Sequence, residues 1–199
     1  YKNMEMDGEG KLAPHLIEEV YNLEDALVVA GFLNSFIRHA DVVKIANIAQ
    51  IVNIIAPLLT KGDDLLVQSI FYPFEMMSKR RTGQSLRQAI EGPEYTGATN
   101  GVVKTIDASS ILNGKELNLF TSNRDQEKTA EICVDLADRE IISLANAEIL
   151  TGPDAKAANS FENPEVITSQ AYTEVLIKNG KAYYELPPLS FAAVTLETA

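Results

Sequence analysis

Beyond about residue 93 the sequence turns into short alternating runs cut by turn residues, and this grammar limits the fold more than any other feature. The runs are Val102–Ala108, Glu116–Ser122, Ala130–Leu136, Ile141–Leu150, Ala171–Ile177, Lys181–Leu186 and Phe191–Glu197. Between them, "LNGKE", "SNRDQE" and "KNGK" carry the Asn-Gly or Asn/Asp chemistry that reverses a chain. Strands in such a series predict an antiparallel β-sandwich, with "VLIKNGKAYYEL" as a tight hairpin. The stretch "TGPDAKAANSFENPEVITSQ" combines Gly, Pro and several Asn with weak patterning, and is expected as a long exposed loop crossing the sandwich.

The first half follows a different pattern. From Asn22 to His39, Leu23, Ala26, Leu27, Ala30, Leu33 and Ile37 fall near one face of a helix. Asn22 is placed as N-cap with Asp25 at N3, Glu24 suits the positive end, and Arg38 and His39 suit the negative end. Next, "ADVVKIANIA" supplies a β-branched run whose near-continuous hydrophobicity predicts a parallel strand over Val42–Ala49, covered on both faces. After the "TKGDD" turn, "VQSIFYPFEMMSKRRTG" reads as a second helix that ends by Gly83, with Pro73 confined to its first turn. The expected organisation is therefore an α/β portion over residues 1–93 and a β-sandwich over residues 94–199.

Composition removes several classes of function. With 17 Lys plus Arg against 28 Asp plus Glu, the net charge of −11 repels phosphate backbones and anionic lipid surfaces, so nucleic acid is not an expected partner. The most apolar windows, Val28–Phe36 and Ile45–Leu59, are interrupted and too short to cross a bilayer, so no membrane partner is expected either. "YKNMEMDGEG" lacks the basic start and apolar middle of a secretory signal and reads as an acidic loop. The single cysteine, Cys133, excludes an intrachain disulfide and is expected as a small buried hydrophobe.

Familiar catalytic signatures are missing: no glycine-rich phosphate loop, HExxH, paired-cysteine zinc pattern or GxSxG elbow is present. His15 and His39 are too few and too far apart for a metal site, and no cofactor is expected. Glu18–Glu19 and Asp63–Asp64 are adjacent loop or helix charges, not a carboxylate pair on rigid strand ends. Phe71, Tyr72 and Phe74 are expected to pack the second helix onto its neighbours.

One apolar stretch does raise a functional question. "KIANIAQIVNIIAP", residues Lys44 to Pro57, carries uncharged amides at Asn47, Gln50 and Asn53. A buried amide without a hydrogen bond costs roughly 1–3 kcal/mol, so each needs a partner from protein, water or ligand. If Val42–Ala49 is a parallel strand, Gln50 sits at its C-terminal rim, where α/β barrels place their sites. Asn53 lies beyond it, where turn formation is the default role. The residues alone leave Gln50 open between a ligand contact and a satisfied structural amide.

Larger blocks of sequence speak to that choice. "YNLEDALVVAGFLNSFIRHADVVKIANIAQIVNIIAPLLT" and "QSIFYPFEMMSKRRTG", then "LFTSNRD", "NSFENPEVI" and "LPPLSFAAVTLE", resemble in order and spacing the α-L-arabinofuranosidases of glycoside hydrolase family fifty-one, from about Ala13 to Thr195. The resemblance implies a (β/α)8 TIM barrel joined to a β-sandwich, and retaining hydrolysis of terminal α-L-arabinofuranosyl groups from arabinan, arabinoxylan or their oligosaccharides. It implies that residues 1–93 hold barrel strand eight and its helix, and residues 94–199 the sandwich. The family's acid/base and nucleophile glutamates, at the ends of strands four and seven, have no counterpart here; the family's nucleophile motif, Asp-Glu-Trp-Asn-Val-Trp, would end just before Tyr1. The chain is thus expected to lack catalytic residues, to be inactive alone and to require the missing N-terminal barrel portion. The family's "AQ-V-N" glutamine maps to Gln50, implying a substrate-binding contact with arabinose.

An arabinofuranosyl-containing oligosaccharide and a second copy of the chain in a homo-oligomer are the other implied partners, and the cytoplasm is the expected location. Two alternatives remain at this point: a noncatalytic sandwich serving assembly or binding, and a related endoglucanase or xylosidase. A carbohydrate-binding surface is disfavoured by the absence of tryptophan and by the strand positions of Tyr172, Tyr183 and Tyr184.

Overall fold

A computed structural model describes residues 19–48, 50–97, 99 and 101–199. The order is α1 Leu23–Arg38, β1 Leu58–Lys61, β2 Asp64–Val67, α2 Phe71–Ser78, β3 Gln84–Ser85, β4 Glu94–Gly97, β5 Gly101–Lys104, β6 Ile106–Asn113 and β7 Glu116–Asn123. It continues with β8 Ala130–Val134, β9 Ile141–Leu150, β10 Ser169–Ala171, β11 Val175–Lys178, β12 Lys181–Leu186 and β13 Ser190–Thr198. A six-stranded sheet in the order β10-β9-β13-β7-β6-β3 faces a three-stranded sheet in the order β11-β12-β8, and the named strands pair antiparallel throughout. β1-β2 and β4-β5 form separate hairpins.

Strand alternation divides the larger sheet between two cores. On β13, Phe191 and Ala193 point to one side and Ala192, Val194 and Leu196 to the other, all fully buried. The first side is covered by α1 and α2 through Leu23, Leu27, Met76 and Met77; the second meets the three-stranded sheet through Ala182, Tyr184 and Leu186. A sheet covered on both faces has strands with little polar interruption, which is why "SFAAVTLE" is so apolar. The helix-side core draws together residues on both sides of position 93, Leu33 and Met76 with Phe120 and Phe191 among them.

Local signals account for the element ends. Asn22 Oδ1 accepts from Asp25 N–H at 3.1 Å and Asp25 Oδ2 accepts from Asn22 N–H at 2.9 Å, the expected capping box. The β11-β12 turn uses Asn179 and Gly180 at φ 51 and 74, the two left-handed positions of a type I′ hairpin. Pro73 occupies the third position of α2, within its first turn, although α2 itself ends at Ser78, before Gly83. Gly83, at φ 130, lies so close to β6 that a Cβ would stand 2.4 Å from the Leu112 carbonyl oxygen. Polar contacts seat α1 on β6: buried Asn34 donates to Asp107 at 3.0 Å and accepts from Ser109 at 2.7 Å, while Arg38 Nη1 donates to Asp107 at 2.9 Å.

Several expectations need correction. No strand forms over the described part of Val42–Ala49: residues 43–48 are irregular, with Val42 72% and Ile45 78% exposed. A parallel strand buried on both faces needs a ladder partner on each edge, and none of the named strands pairs with this run. The described residues accordingly form no α/β unit and no barrel sheet. Cys133 is exposed, because the alternation of β8 turns Ile132 and Val134 inward and Cys133 outward. The run Val102–Ala108 breaks at Thr105 into β5 and β6, and Ala171–Ile177 breaks into β10 and β11. Within the loop over 151–168, Asn159 and Ile167 are buried, Asn159 Nδ2 donating to the carbonyls of Val67 and Ile167 at 2.9 and 2.8 Å. "LLTKGDDLLV" forms the β1-β2 hairpin, a pair of strands absent from the sequence reading.

Candidate functional site

After α1 the chain passes through Gln50 and bends back toward β1. Gln50, Asn53 and Ile55 adopt φ of 53, 67 and 48. Left-handed backbone costs an L-residue roughly 1–2 kcal/mol, and for a β-branched isoleucine it is a true outlier. Such a loop persists only where its surroundings hold it. Asn53 N–H donates to the Leu58 carbonyl at 2.8 Å, and its side chain accepts from Thr60 N–H at 2.8 Å and donates to Thr60 Oγ1 at 3.0 Å. At the loop's exit, Ala56 is buried and its carbonyl accepts from Gln68 Nε2 at 2.7 Å, while the Pro57 carbonyl accepts from Gln68 N–H at 2.8 Å.

Gln68 reaches a second segment as well. Its Oε1 accepts from Tyr21 N–H at 2.9 Å and its Nε2 donates to the Glu19 carbonyl at 3.1 Å. Next to it, Ser69 Oγ donates to the Asn22 carbonyl at 2.6 Å. The entry to α1 and the exit of the Gln50 loop thus share one buried polar anchor. Burial, and then Glu19 and Asp25, push the Tyr21 hydroxyl up to about 12.

Around the anchor the surface is apolar. Ile51, Val52, Ile54 and Ile55 are exposed on the loop. α1 carries a second stripe of Val28, Phe32 and Phe36, at i, i+4 and i+8, opposite the face that packs on the sheet, and Phe32 is 61% exposed. A groove of about 250 Å³ lined by Val28, Val29, Ile48 and Ile55 runs between stripe and loop. A second, of about 380 Å³, lies between the end of α1, residues 43–46 and α2. Contiguous exposed apolar surface of this kind is characteristic of an interface.

The residues singled out in the sequence separate cleanly. Gln50 is exposed on the left-handed loop, Asn47 is exposed beside it, and Asn53 is bonded to Thr60 and structural. His39 Nδ1 contacts the Ser35 carbonyl at 2.8 Å at the end of α1. Asp63 and Asp64 are exposed at the β1-β2 turn. Among the described residues no group of three His, Cys, Asp or Glu is placed to hold a metal. His15 and Glu18 lie outside the described residues, as do Tyr1–Gly10. Gln68 was not singled out, although its signal resembled that of Gln50: an amide inside an apolar run.

Fold and site together define a helix-backed β-sandwich that carries a hydrogen-bonded loop on an apolar surface. A profile of the α-L-arabinofuranosidase C-terminal domain matches residues 1–190, and the chain belongs to that family. It is 33% identical over 185 residues to the intracellular exo-α-(1→5)-L-arabinofuranosidase 1 of Bacillus subtilis, covering 92% of this chain and 37% of that protein. It is 30% identical over 199 residues to an exo-α-(1→6)-L-arabinofuranosidase of Bifidobacterium longum, covering 97% of this chain and 38% of that one. A solved family 51 α-L-arabinofuranosidase from Bifidobacterium longum superposes with TM-score 0.85 at 29% identity, covering 93% of this chain and 37% of that one. The chain therefore spans little more than a third of these relatives. No described helix is long and apolar enough to cross a membrane.

Proposed function

We propose that the chain is the C-terminal part of a retaining, exo-acting α-L-arabinofuranosidase that removes terminal arabinofuranosyl groups from arabinan and arabinoxylan oligosaccharides in the cytoplasm. The observation that carries the reading is the family match over residues 1–190 together with coverage of only 37% of the Bacillus subtilis relative. Retaining hydrolysis needs two carboxyl groups roughly 5–5.5 Å apart, one as acid/base and one as nucleophile. In this reading both come from the remainder of a longer polypeptide, and the 199-residue chain is inactive alone. Residues 1–93 complete the (β/α)8 barrel, with Val42–Ala49 taking up strand geometry once flanking strands supply a ladder, and residues 94–199 form the sandwich. The exposed Val42 and Ile45, the loop isoleucines and the outer stripe of α1 support a body that packs there. A homo-oligomer is part of the same proposal.

Gln50 is the substrate contact in this account. Its amide, at the rim of the completed strand, donates to and accepts from arabinose hydroxyls and orients the ring for attack. In the longer polypeptide, Gln50→Ala is expected to lower kcat/KM on an aryl α-L-arabinofuranoside by about tenfold or more, roughly 1.4 kcal/mol of transition-state stabilisation. A loss below about 0.5 kcal/mol would make Gln50 a structural amide instead. Parallel assays on aryl xylosides and a β-glucan test the sugar, with arabinofuranoside expected to be the preferred substrate.

A further inference from the structure

We propose that Gln68 is a positioning residue for the substrate loop: its buried amide fixes the height and direction at which Gln50 meets the sugar. The inference rests on the arabinofuranosidase reading above. Gln68 is 1% exposed, and its side-chain amide hydrogen-bonds to the backbone of two other segments, around Glu19–Tyr21 and at Ala56. A glutamine amide offers one oxygen acceptor and two N–H donors, and here the oxygen takes Tyr21 N–H while the nitrogen serves the carbonyls of Glu19 and Ala56. No other neutral side chain of that length presents this set.

The location of the anchor gives it more than a packing role. Ala56 follows directly on Ile55, the last of three left-handed residues that begin at Gln50. The side chains of Gln50, Ile51, Val52, Ile54 and Ile55 are exposed, so little core contact resists relaxation of the loop before buried Ala56. Hydrogen bonds at its exit, from Gln68, and at its turn, from Asn53 to Thr60, therefore set its shape. Through Tyr21 and Glu19 the same amide ties the loop to the segment that enters α1, so the two share one anchor.

Two substitutions in the longer polypeptide test this. Gln68→Met keeps the length and removes all three bonds. Gln68→Glu keeps the acceptor for Tyr21 but sets a carboxylate against two carbonyl oxygens; when protonated it donates to one of them. The readouts are amide hydrogen exchange over residues 50–57, exchange over β12 and β13 as control, and kcat and KM on an aryl α-L-arabinofuranoside at pH 5 and 7.5, each relative to wild type at that pH. The expected result is at least tenfold faster exchange over 50–57 with the control unchanged, and at least a tenfold fall in kcat/KM carried by kcat. The Gln68→Glu deficit is expected to be smaller at pH 5 than at pH 7.5. If Gln68→Met does not accumulate folded, Gln68→Glu at the two pH values carries the test alone. Unchanged exchange over 50–57, acceleration spread through β12 and β13, or local acceleration without kinetic loss would each overturn the proposal. A wild-type polypeptide inactive on arabinofuranosides would overturn the enzymatic reading, and exchange would then report on the anchor independently.

Discussion

Phe120→Ala is expected to lower the stability of the fold by about 3–5 kcal/mol, the usual cost of emptying a fully buried aromatic site. Phe120 has no exposed surface, lies on β7 next to central strand β13 and faces the helix layer. Its cross-strand partners are Ala193 on β13 and Ser109 on β6, both too small to swing into the vacated space. Phe191 sits diagonally beside it, paired with Ser122, and both rings share one core with Leu27, Leu33 and Met76. The cavity would open where both helices rest on the sheet, so helices and sandwich should be weakened together. Urea unfolding followed by far-UV circular dichroism measures the loss. A decrease under about 1 kcal/mol would mean that the helices do not bear on this face.

Arg80→Met is expected to cost about 2–3 kcal/mol, slightly below the range for breaking a buried pair, because Glu148 keeps 22% exposure. The Arg80 guanidinium follows α2 and fans out over β9 and β13. It donates to Glu148 at 2.8 Å, Asn146 at 2.6 Å, Thr195 at 3.0 Å and the Met76 carbonyl at 2.9 Å. Loss of the guanidinium leaves Glu148, among the described residues, with the more distant Lys79 at 3.8 Å as its remaining ion pair, and strips Asn146 and Thr195 of a charged donor. Introducing Glu148→Gln into the Arg80→Met background should recover part of the loss, since the stranded charge is then gone. The same unfolding measurement in a double-mutant cycle checks it; additive losses would show that the two side chains do not act as a pair.

Residues governed by their immediate neighbours were legible in the sequence. The bounds of β9 and β12, the Asn179-Gly180 turn and the Asn22–Asp25 capping box all follow from short-range chemistry. Residues governed by distant partners were not. α1 displayed its Leu23–Ile37 face clearly, but sequence periodicity does not say what covers a face; the sandwich covers it, and the stripe of Val28, Phe32 and Phe36 is the face left open. The run Val42–Ala49 has strand composition without strand neighbours, so its described residues stay irregular. Cys133 was misplaced because hydrophobicity was weighed without the parity of Ile132 and Val134. Of the loop, Asn53 was legible as a turn former, and Gln50 stood out by its place in an apolar run, which bears on its proposed substrate contact and not on any bond seen in the fold. Gln68 escaped notice because its partners lie 12 to 49 residues away.

A chain that only completes a catalytic site whose carboxylates lie elsewhere, as proposed above, cannot hydrolyse substrate by itself. Hydrolysis of an aryl α-L-arabinofuranoside by the isolated 199-residue chain and by the longer polypeptide, at matched concentration, tests it most directly. The longer polypeptide is expected to release the aryl alcohol and arabinose, and the isolated chain to release no more than buffer does. Turnover by the isolated chain, or none by the longer polypeptide, would contradict it.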